Sequence, residues 1–307
     1  MKITEKNGYK ISSLTLGTAQ LGLAYGVNND RGMPTYEESS TLLSTALELG
    51  ITSFDTARGY GESEAVLGKY FSKNKSEKTL ISKVMFSTET KATVKDSLLR
   101  QAKDSAQKLG LEKLPFLMLH REGYIEQYGD SLLYAMEDLK NNGIVSGVGI
   151  SFSDKSKLIE YCSATPFDCI QIPANMLDNE EIRSGKIKAI SDMGTAVFVR
   201  SVYLQGLFFK DTKALPESIK SEKPLLDKLH SLAYDFGFTM AEMAAGFIRD
   251  TEGITSLVMG ADTPEQLKES VSLLEGRALP KELKEEIISL SENINPRLTQ
   301  PWTWYAK

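Results

Sequence analysis

Eight short apolar runs, each long enough for one buried strand, recur along the 307-residue chain, and most are followed by a stretch with helical amphipathicity. The runs lie at 14–17, 52–55, 79–83, 116–120, 145–150, 169–172, 196–199 and 256–259. The helical patterns include 36–49, 63–71, 92–109, 131–141, 154–161 and 264–274. Strands of a parallel sheet are covered on both faces, so they read as continuous apolar runs rather than alternating ones. Eight β-then-α units therefore predict an α/β fold, the closed (β/α)8 TIM barrel. A doubly wound sheet is the competing architecture, and it expects a glycine-rich first turn. Gly17-Thr18-Ala19-Gln20-Leu21-Gly22 and Gly147-Val148-Gly149 do not supply the G-x-G-x-x-G pattern, and no Walker loop is present. Ahead of the first run, residues 2–12 predict a β-hairpin cap, because Asn7-Gly8 provides the two positive-φ residues of a type I′ turn. No Pro/Gly/Ser linker or charge block interrupts the pattern, so residues 1–307 are expected to form a single barrel domain.

With 41% hydrophobic and 25% charged residues the chain has globular rather than disordered composition. Its net charge of -5, from 41 acidic against 36 basic side chains, lacks the basic field that nucleic-acid binding requires. Two cysteines, Cys162 and Cys169, make neither a disulfide framework nor a common zinc pattern, and both are expected to be reduced and buried. Residues 1–10 are too polar for a signal peptide, and no apolar run approaches the roughly 18 residues of a membrane span. A cytoplasmic protein without a membrane partner is the expectation; nothing speaks to its oligomeric state.

Catalytic groups of such barrels sit at the C-terminal ends of strands. Asp55, Lys83 and His120 each close one of the predicted strands, and Tyr60 stands in the loop after Asp55. Singly each has a plain reading: a helix cap, a solvated strand end, a satisfied core histidine and a loop aromatic. Together they make a proton donor. A phenol titrates near pH 10, and a nearby ammonium favours its phenolate, as Lys83 could do. A carboxylate such as Asp55 would keep a buried lysine charged, and His120 would orient the substrate oxygen or share the proton transfer.

The run Phe54-Asp55-Thr56-Ala57-Arg58-Gly59-Tyr60-Gly61-Glu62-Ser63-Glu64, with Leu67-Gly68 after it, resembles the signature of the aldo-keto reductases. Lys83 and His120 fall where that family's other two catalytic residues are expected, and the similarity extends from the hairpin to about Leu274. The resemblance implies a catalytic tetrad of Asp55, Tyr60, Lys83 and His120. It also implies a nicotinamide cofactor, NADP with NAD left open, lying extended across the barrel mouth.

Ser151 and Gln171 match the residues that bind the carboxamide, whereas Phe152 stands where the family often has asparagine. Gly17 and Thr18 at the first strand end, and Ser201, Gln205 and Gly206 after strand seven, are further cofactor candidates. At the adenosine side the resemblance covers Gly260, Asp262, Thr263, Gln266, Glu269 and Ser270. Physically that segment is a helix start, with Thr263 as N-cap, Pro264 at N1 and Gln266 completing a capping box. Asp262 would repel a 2′-phosphate. Arg200 occupies the place where the family stacks a tyrosine on the nicotinamide; its guanidinium could stack, or Tyr203 could swing in, or Arg200 could pair with a loop carboxylate.

Substrate candidates are Tyr25, Arg58, Arg121 and Trp302, the last in an aromatic tail that either walls the pocket or covers another surface. The function expected is interconversion of a carbonyl, sugar-like or otherwise, with its alcohol by hydride transfer, Tyr60 acting as general acid or base and no metal required. Two alternatives stand beside it: a nicotinamide-binding regulatory subunit with little turnover, and a sugar dehydrogenase acting on a polyol. Fold alone does not choose among them.

Overall fold

The computed structural model describes residues 1–24, 32–292 and 294–304. It opens on an antiparallel hairpin of β1 (Ile3–Lys6) and β2 (Tyr9–Ser12), with Asn7 and Gly8 at φ of 52° and 79°, as the type I′ reading requires. Eight parallel strands follow: β3 (Leu14–Gly17), β4 (Ser53–Asp55), β5 (Thr79–Val84), β6 (Leu114–Leu119), β7 (Val145–Ser151), β8 (Cys169–Pro173), β9 (Ala196–Arg200) and β10 (Ser256–Gly260). They pair in sequence order and β10 closes on β3, giving the (β/α)8 barrel. Each predicted run coincides with one barrel strand.

Inside the barrel, Ile81, Phe116, Met118, Cys169, Ala196 and Phe198 pack against Ile11 of the hairpin, which enters from the N-terminal end of the strands. Asn7 fixes the hairpin there, its Nδ2 donating to Asp168 Oδ1 at 2.8 Å and to the Ser146 carbonyl at 3.0 Å. Below this apolar layer lies a set of buried hydroxyls. Thr15 Oγ1 lies 2.7 Å from both Ser53 Oγ and Ser256 Oγ, and Ser256 Oγ donates to the Ser12 carbonyl at 2.7 Å. The last strand is thus tied to the first by side chains as well as by the backbone ladder.

The helices cover the outside, each burying one apolar stripe. Helix Tyr36–Glu48 starts at a capping box of Thr35 and Glu38. Helix Ser63–Lys73 lies so close to Val94–Leu109 that a Cβ on Gly68 would stand 1.9 Å from the Lys108 carbonyl oxygen, which only glycine avoids. Among the described residues no helix is long and apolar enough to cross a membrane. Cys162 and Cys169 are both buried, free thiols.

Two local expectations are corrected. The helix expected at 154–161 begins only at Leu158, and the residues ahead of it are held by distant partners. Glu122 accepts the amides of Ser153 and Asp154 at 2.9 and 3.0 Å, and Lys155 pairs with Asp178 and Glu181, each at 2.6 Å. The helix Pro264–Leu274 has the expected bounds, with Thr263 Oγ1 accepting from the Gln266 amide at 3.3 Å. Gln266 does not complete the box on Thr263; its Oε1 accepts from the Asp262 amide instead, at 2.7 Å.

Candidate active site

Backbone ladders that continue past the strand ends hold the four predicted residues together. Thr56 and Arg58 amides donate to the carbonyls of Ile81 and Lys83, and the His120 amide donates to that of Val84. Tyr60 sits in a tight turn, its amide donating to Ala57 and its carbonyl accepting from Ser63. Buried hydroxyls brace this turn from below: Ser63 Oγ lies 2.7 Å from Thr18 Oγ1 and 2.9 Å from Thr56 Oγ1. Gly22 passes against it so closely that a Cβ there would fall 1.9 Å from the Tyr60 carbonyl oxygen.

Lys83 is fully buried and donates to both oxygens of Asp55, at 2.6 and 2.7 Å, and to the Thr56 carbonyl at 3.2 Å. Its Nζ stands 3.5 Å from the Tyr60 hydroxyl, at the outer limit of a hydrogen bond. The Tyr60 and His120 rings meet edge to face with centroids 5.7 Å apart. Gln171 adds a further donor to Asp55, with Nε2 2.9 Å from Oδ1. Burial works against the Lys83 charge, but the charges of Asp55 and Tyr60 and their hydrogen bonds outweigh it and hold the ammonium's pKa above its ordinary value. His120 goes the other way. Burial, then the charges of Lys83, Arg200 and Arg121, push it down to about 3, and its buried Nδ1 has no hydrogen-bond partner among the described residues. At neutral pH the imidazole is therefore uncharged.

Above these residues opens a cleft of about 320 Å³ lined by Gly17, Thr18, Asp55, Tyr60, Gln171, Arg200, Ser201, Tyr203, Gln205, Gly206 and Gly260, among others. Its donor set fits a nicotinamide. Gln171 commits one amide N–H to Asp55 and one lone pair to Ser151 Oγ at 3.4 Å, leaving a donor and an acceptor for a carboxamide. The Tyr203 hydroxyl, buried and raised in pKa by that burial, has no hydrogen-bond partner among the described residues. The loop carrying it holds Ser201, Leu204 and Gln205 at positive φ (64°, 47° and 51°), backbone strain of the kind found at ligand sites.

Gln20, whose Nε2 donates to the Ala261 carbonyl at 2.7 Å, separates this cleft from a smaller cavity of about 140 Å³ lined by Asp262, Met33, Pro34 and Glu38. No lysine or arginine among the described residues lines it. Thr263, Gln266 and Ser270 have their polar side chains engaged within the adjoining helix start, Ser270 Oγ with the Gln266 carbonyl at 3.0 Å. Glu269 is exposed, and its charge acts on Tyr203.

Arg58 is not brought into the cleft. It reaches outward to helix Val94–Leu109, with Nη1 3.2 Å from the Gln101 carbonyl and Nη2 3.5 Å from Asp104. Arg121 stays at the mouth, exposed, with Nη2 donating to the Tyr124 hydroxyl at 3.2 Å. Tyr25 lies outside the described residues. Trp302 is 68% exposed and lines a second cleft of about 720 Å³ together with Glu122, Ser153, Lys155, Asn175, Arg200, Gln205 and Gln300. Trp304 is buried, its Nε1 donating to the Arg297 carbonyl at 2.9 Å, and anchors that tail.

Arg200 stands in the wall shared by the two clefts. It does not pair with a loop carboxylate: Nη2 donates to the Phe152 carbonyl at 3.0 Å and to Ser153 Oγ at 3.3 Å, and Nη1 to Ser201 Oγ at 3.3 Å. The two departures noted at 152 and 200 therefore touch each other. Sequence reasoning missed Met85, exposed at the mouth. A Cβ on Gly59 would lie 2.4 Å from its sulfur and 3.8 Å from His120 Cε1, so Met85, Gly59 and His120 share one wall. Its place two residues after Lys83, just beyond a strand end, was the available signal.

A family model described as the aldo/keto reductase family matches residues 13–292. An uncharacterized oxidoreductase of Mycobacterium bovis is 24% identical over 296 residues, spanning 88% of this chain and 87% of that protein. Among solved structures, the holo form of an aldo-keto reductase from Bacillus halodurans superposes with a TM-score of 0.76 at 23% identity, covering 97% of this chain and 99% of that one. A glycerol dehydrogenase from Gluconobacter oxydans superposes with a TM-score of 0.72 at 18% identity, covering 96% and 98%. These likenesses carry the barrel, and the family model, matched from the first barrel strand to beyond the last, carries the assignment: the chain belongs to the aldo/keto reductase family.

Proposed function

We propose that this oxidoreductase uses NADPH or NADH to interconvert a small carbonyl compound and its alcohol, with Tyr60 as the acid and base. The observation that supports the reading is the buried Asp55–Lys83 pair placed beneath the Tyr60 hydroxyl, with uncharged His120 alongside. A bound reduced nicotinamide would supply the hydride to the carbonyl carbon. Gln171 and Ser151 would hold its carboxamide, and the glycines at 17, 206 and 260 let the chain pass close to it.

The chain's own residues handle the proton. As the carbonyl oxygen gains negative charge, the Tyr60 hydroxyl donates its proton to it. The phenolate left behind is stabilised by the Lys83 ammonium, which Asp55 keeps protonated in a fully buried position. His120, neutral at working pH, offers a hydrogen bond to the same oxygen without adding a charge that would repel a cationic ring. In the reverse direction the phenolate removes the hydroxyl proton of the alcohol. Residues 1–307 act as one barrel unit in this reading, placed in the cytoplasm, with a small molecule as partner.

Tyr60→Phe tests it by deleting only the hydroxyl. Carbonyl reduction over a panel of aldehydes, followed by absorbance of the reduced cofactor, should fall by roughly 10² to 10⁴ while cofactor dissociation constants stay within a few-fold. A variant with wild-type kcat would remove Tyr60 from the role.

A further inference from the structure

Two guanidinium groups lie near the reacting end of the cleft, their charges both acting on His120, and neither makes an ion pair among the described residues. The arginine ion pairs of the described residues belong to Arg58, Arg183 and Arg249, not to Arg121 or Arg200. Arg200 is half-buried and held by three uncharged acceptors, the Phe152 carbonyl and the hydroxyls of Ser153 and Ser201. Those contacts fix its position and leave the Nε–H and one Nη1–H of its five donors uncommitted. Asp55 is taken by Lys83, and Glu122 accepts the amides of Ser153 and Asp154. Asp178 and Glu181 share Lys155, and Asp178 also lies within the field of Arg200. Asp154 accepts from the Ser156 amide at 2.8 Å. The outer cleft is lined by Glu122, Asp154, Asp178 and Glu181 and disfavours an anion. In the cleft that Arg200 shares with Tyr60, however, Asp55 is the one acid among the described residues, and a positioned guanidinium there has the chemistry to receive a carboxylate or a phosphate.

We infer that the substrate carries an oxyanion in the same molecule as its carbonyl, and that Arg200 receives the oxyanion while Tyr60 and His120 take the carbonyl oxygen. This rests on the reductase reading above and narrows it. The charges of both arginines reach His120, so a substrate oxygen seated there lies within their field. Arg121, exposed at the mouth, adds to the attraction on approach. Arg200 here serves specificity; it moves no proton.

The test compares matched aldehydes: butanal with 4-oxobutanoate for the carboxylate, and glyceraldehyde with glyceraldehyde 3-phosphate for the phosphate. Wild-type kcat/KM should favour the charged member of at least one pair by about tenfold or more, the size of one charge-assisted hydrogen bond, and the pair that responds identifies the oxyanion. Arg200→Gln should bring that ratio close to one and Arg200→Lys should retain part of it. Calorimetric binding of succinate and glycerol 3-phosphate to wild type and Arg200→Gln gives a readout independent of turnover.

Equal ratios in wild type and Arg200→Gln, with turnover intact, overturn the inference and leave the reductase standing. The inference also falls if Arg200→Gln weakens NADPH binding and leaves the ratio unchanged, since Arg200 then serves the cofactor's own diphosphate. Absence of turnover on every aldehyde, with anion binding that Arg200→Gln abolishes, sinks the reductase reading and keeps the oxyanion site. Absence of both overturns both.

Discussion

Replacing Lys83 with methionine keeps most of its length and removes its charge, and it should destabilise the barrel more than any surface ion pair could. In wild type the ammonium is fully buried and bonded to both Asp55 oxygens at 2.6 and 2.7 Å. Without it the Asp55 carboxylate keeps only the Gln171 amide as a side-chain partner, at 2.9 Å. Breaking a buried pair from one side costs about 3–5 kcal/mol, because the remaining charge is left uncompensated. An unfolding entropy of roughly 2.1 cal/mol/K per residue, taken over the 307 residues, gives roughly 0.6 kcal/mol per degree. The expected fall in Tm is thus about 5–8 °C, read by calorimetry at pH 7. The double variant Lys83→Met with Asp55→Asn removes the orphaned charge and should recover more than half of the loss. A double variant that melts no higher than the single one would show that lost packing, not lost charge balance, is responsible.

The same pair sets an alkaline limit. Lys83 has a folded pKa above its ordinary 10.5, so its contribution is fully present below that value and is lost as pH rises through the folded one. Wild type and Lys83→Met should therefore converge in stability well above pH 10.5. His120, pushed down to about 3, should show no imidazole titration between pH 5 and 8 in spectra of histidine-labelled protein, where only His230 shares the signal. Its depressed value also makes stability fall as pH drops from about 6.5 towards 3, because the unfolded chain binds the proton first; His120→Gln should flatten that slope in denaturant titrations. Arg58→Gln should leave kcat/KM within about twofold on any substrate and change stability by no more than about 1 kcal/mol, since it breaks a partly exposed contact to Asp104 and a hydrogen bond to the Gln101 carbonyl, both away from the cleft. A tenfold kinetic loss there would return Arg58 to the substrate site. Trp304→Ala removes a buried indole and its bond to the Arg297 carbonyl and should cost about 3–5 kcal/mol in urea unfolding; a loss below about 1 kcal/mol would mean that the tail is held otherwise.

The barrel was legible because its strands are covered on both sides, so apolar runs such as Leu114–Leu119 stand out without any alternation to decode. The hairpin was legible from two residues, since Asn7-Gly8 carries its geometry locally. Four candidate site residues stood out because each is at or next to a strand end, or one tight turn beyond it. What could not be read depends on partners far away in sequence. The course of residues 153–155 ahead of helix Leu158–Ala164 depends on Glu122, about thirty residues earlier, and on Asp178 and Glu181 beyond it. The outward course of Arg58 depends on Asp104 and Gln101 of another helix. The contact between Arg200 and Phe152 spans 48 residues, so two departures that looked separate form one feature.

The hydroxyl tie between Thr15 and Ser256 has a consequence for how the molecule is made. Its partners are separated by 241 residues, and the backbone ladder joining β10 to β3 runs over the same interval. A ribosome that has delivered every earlier strand still holds a barrel with two open edges, each a row of unsatisfied amides and carbonyls. Closure must wait for the last strand, and its loop entropy is met in one late step. During that interval the Thr15 hydroxyl and the Ser12 carbonyl have no Ser256 to bind. A stalled or C-terminally truncated chain is left with the exposed seam that invites pairing between copies.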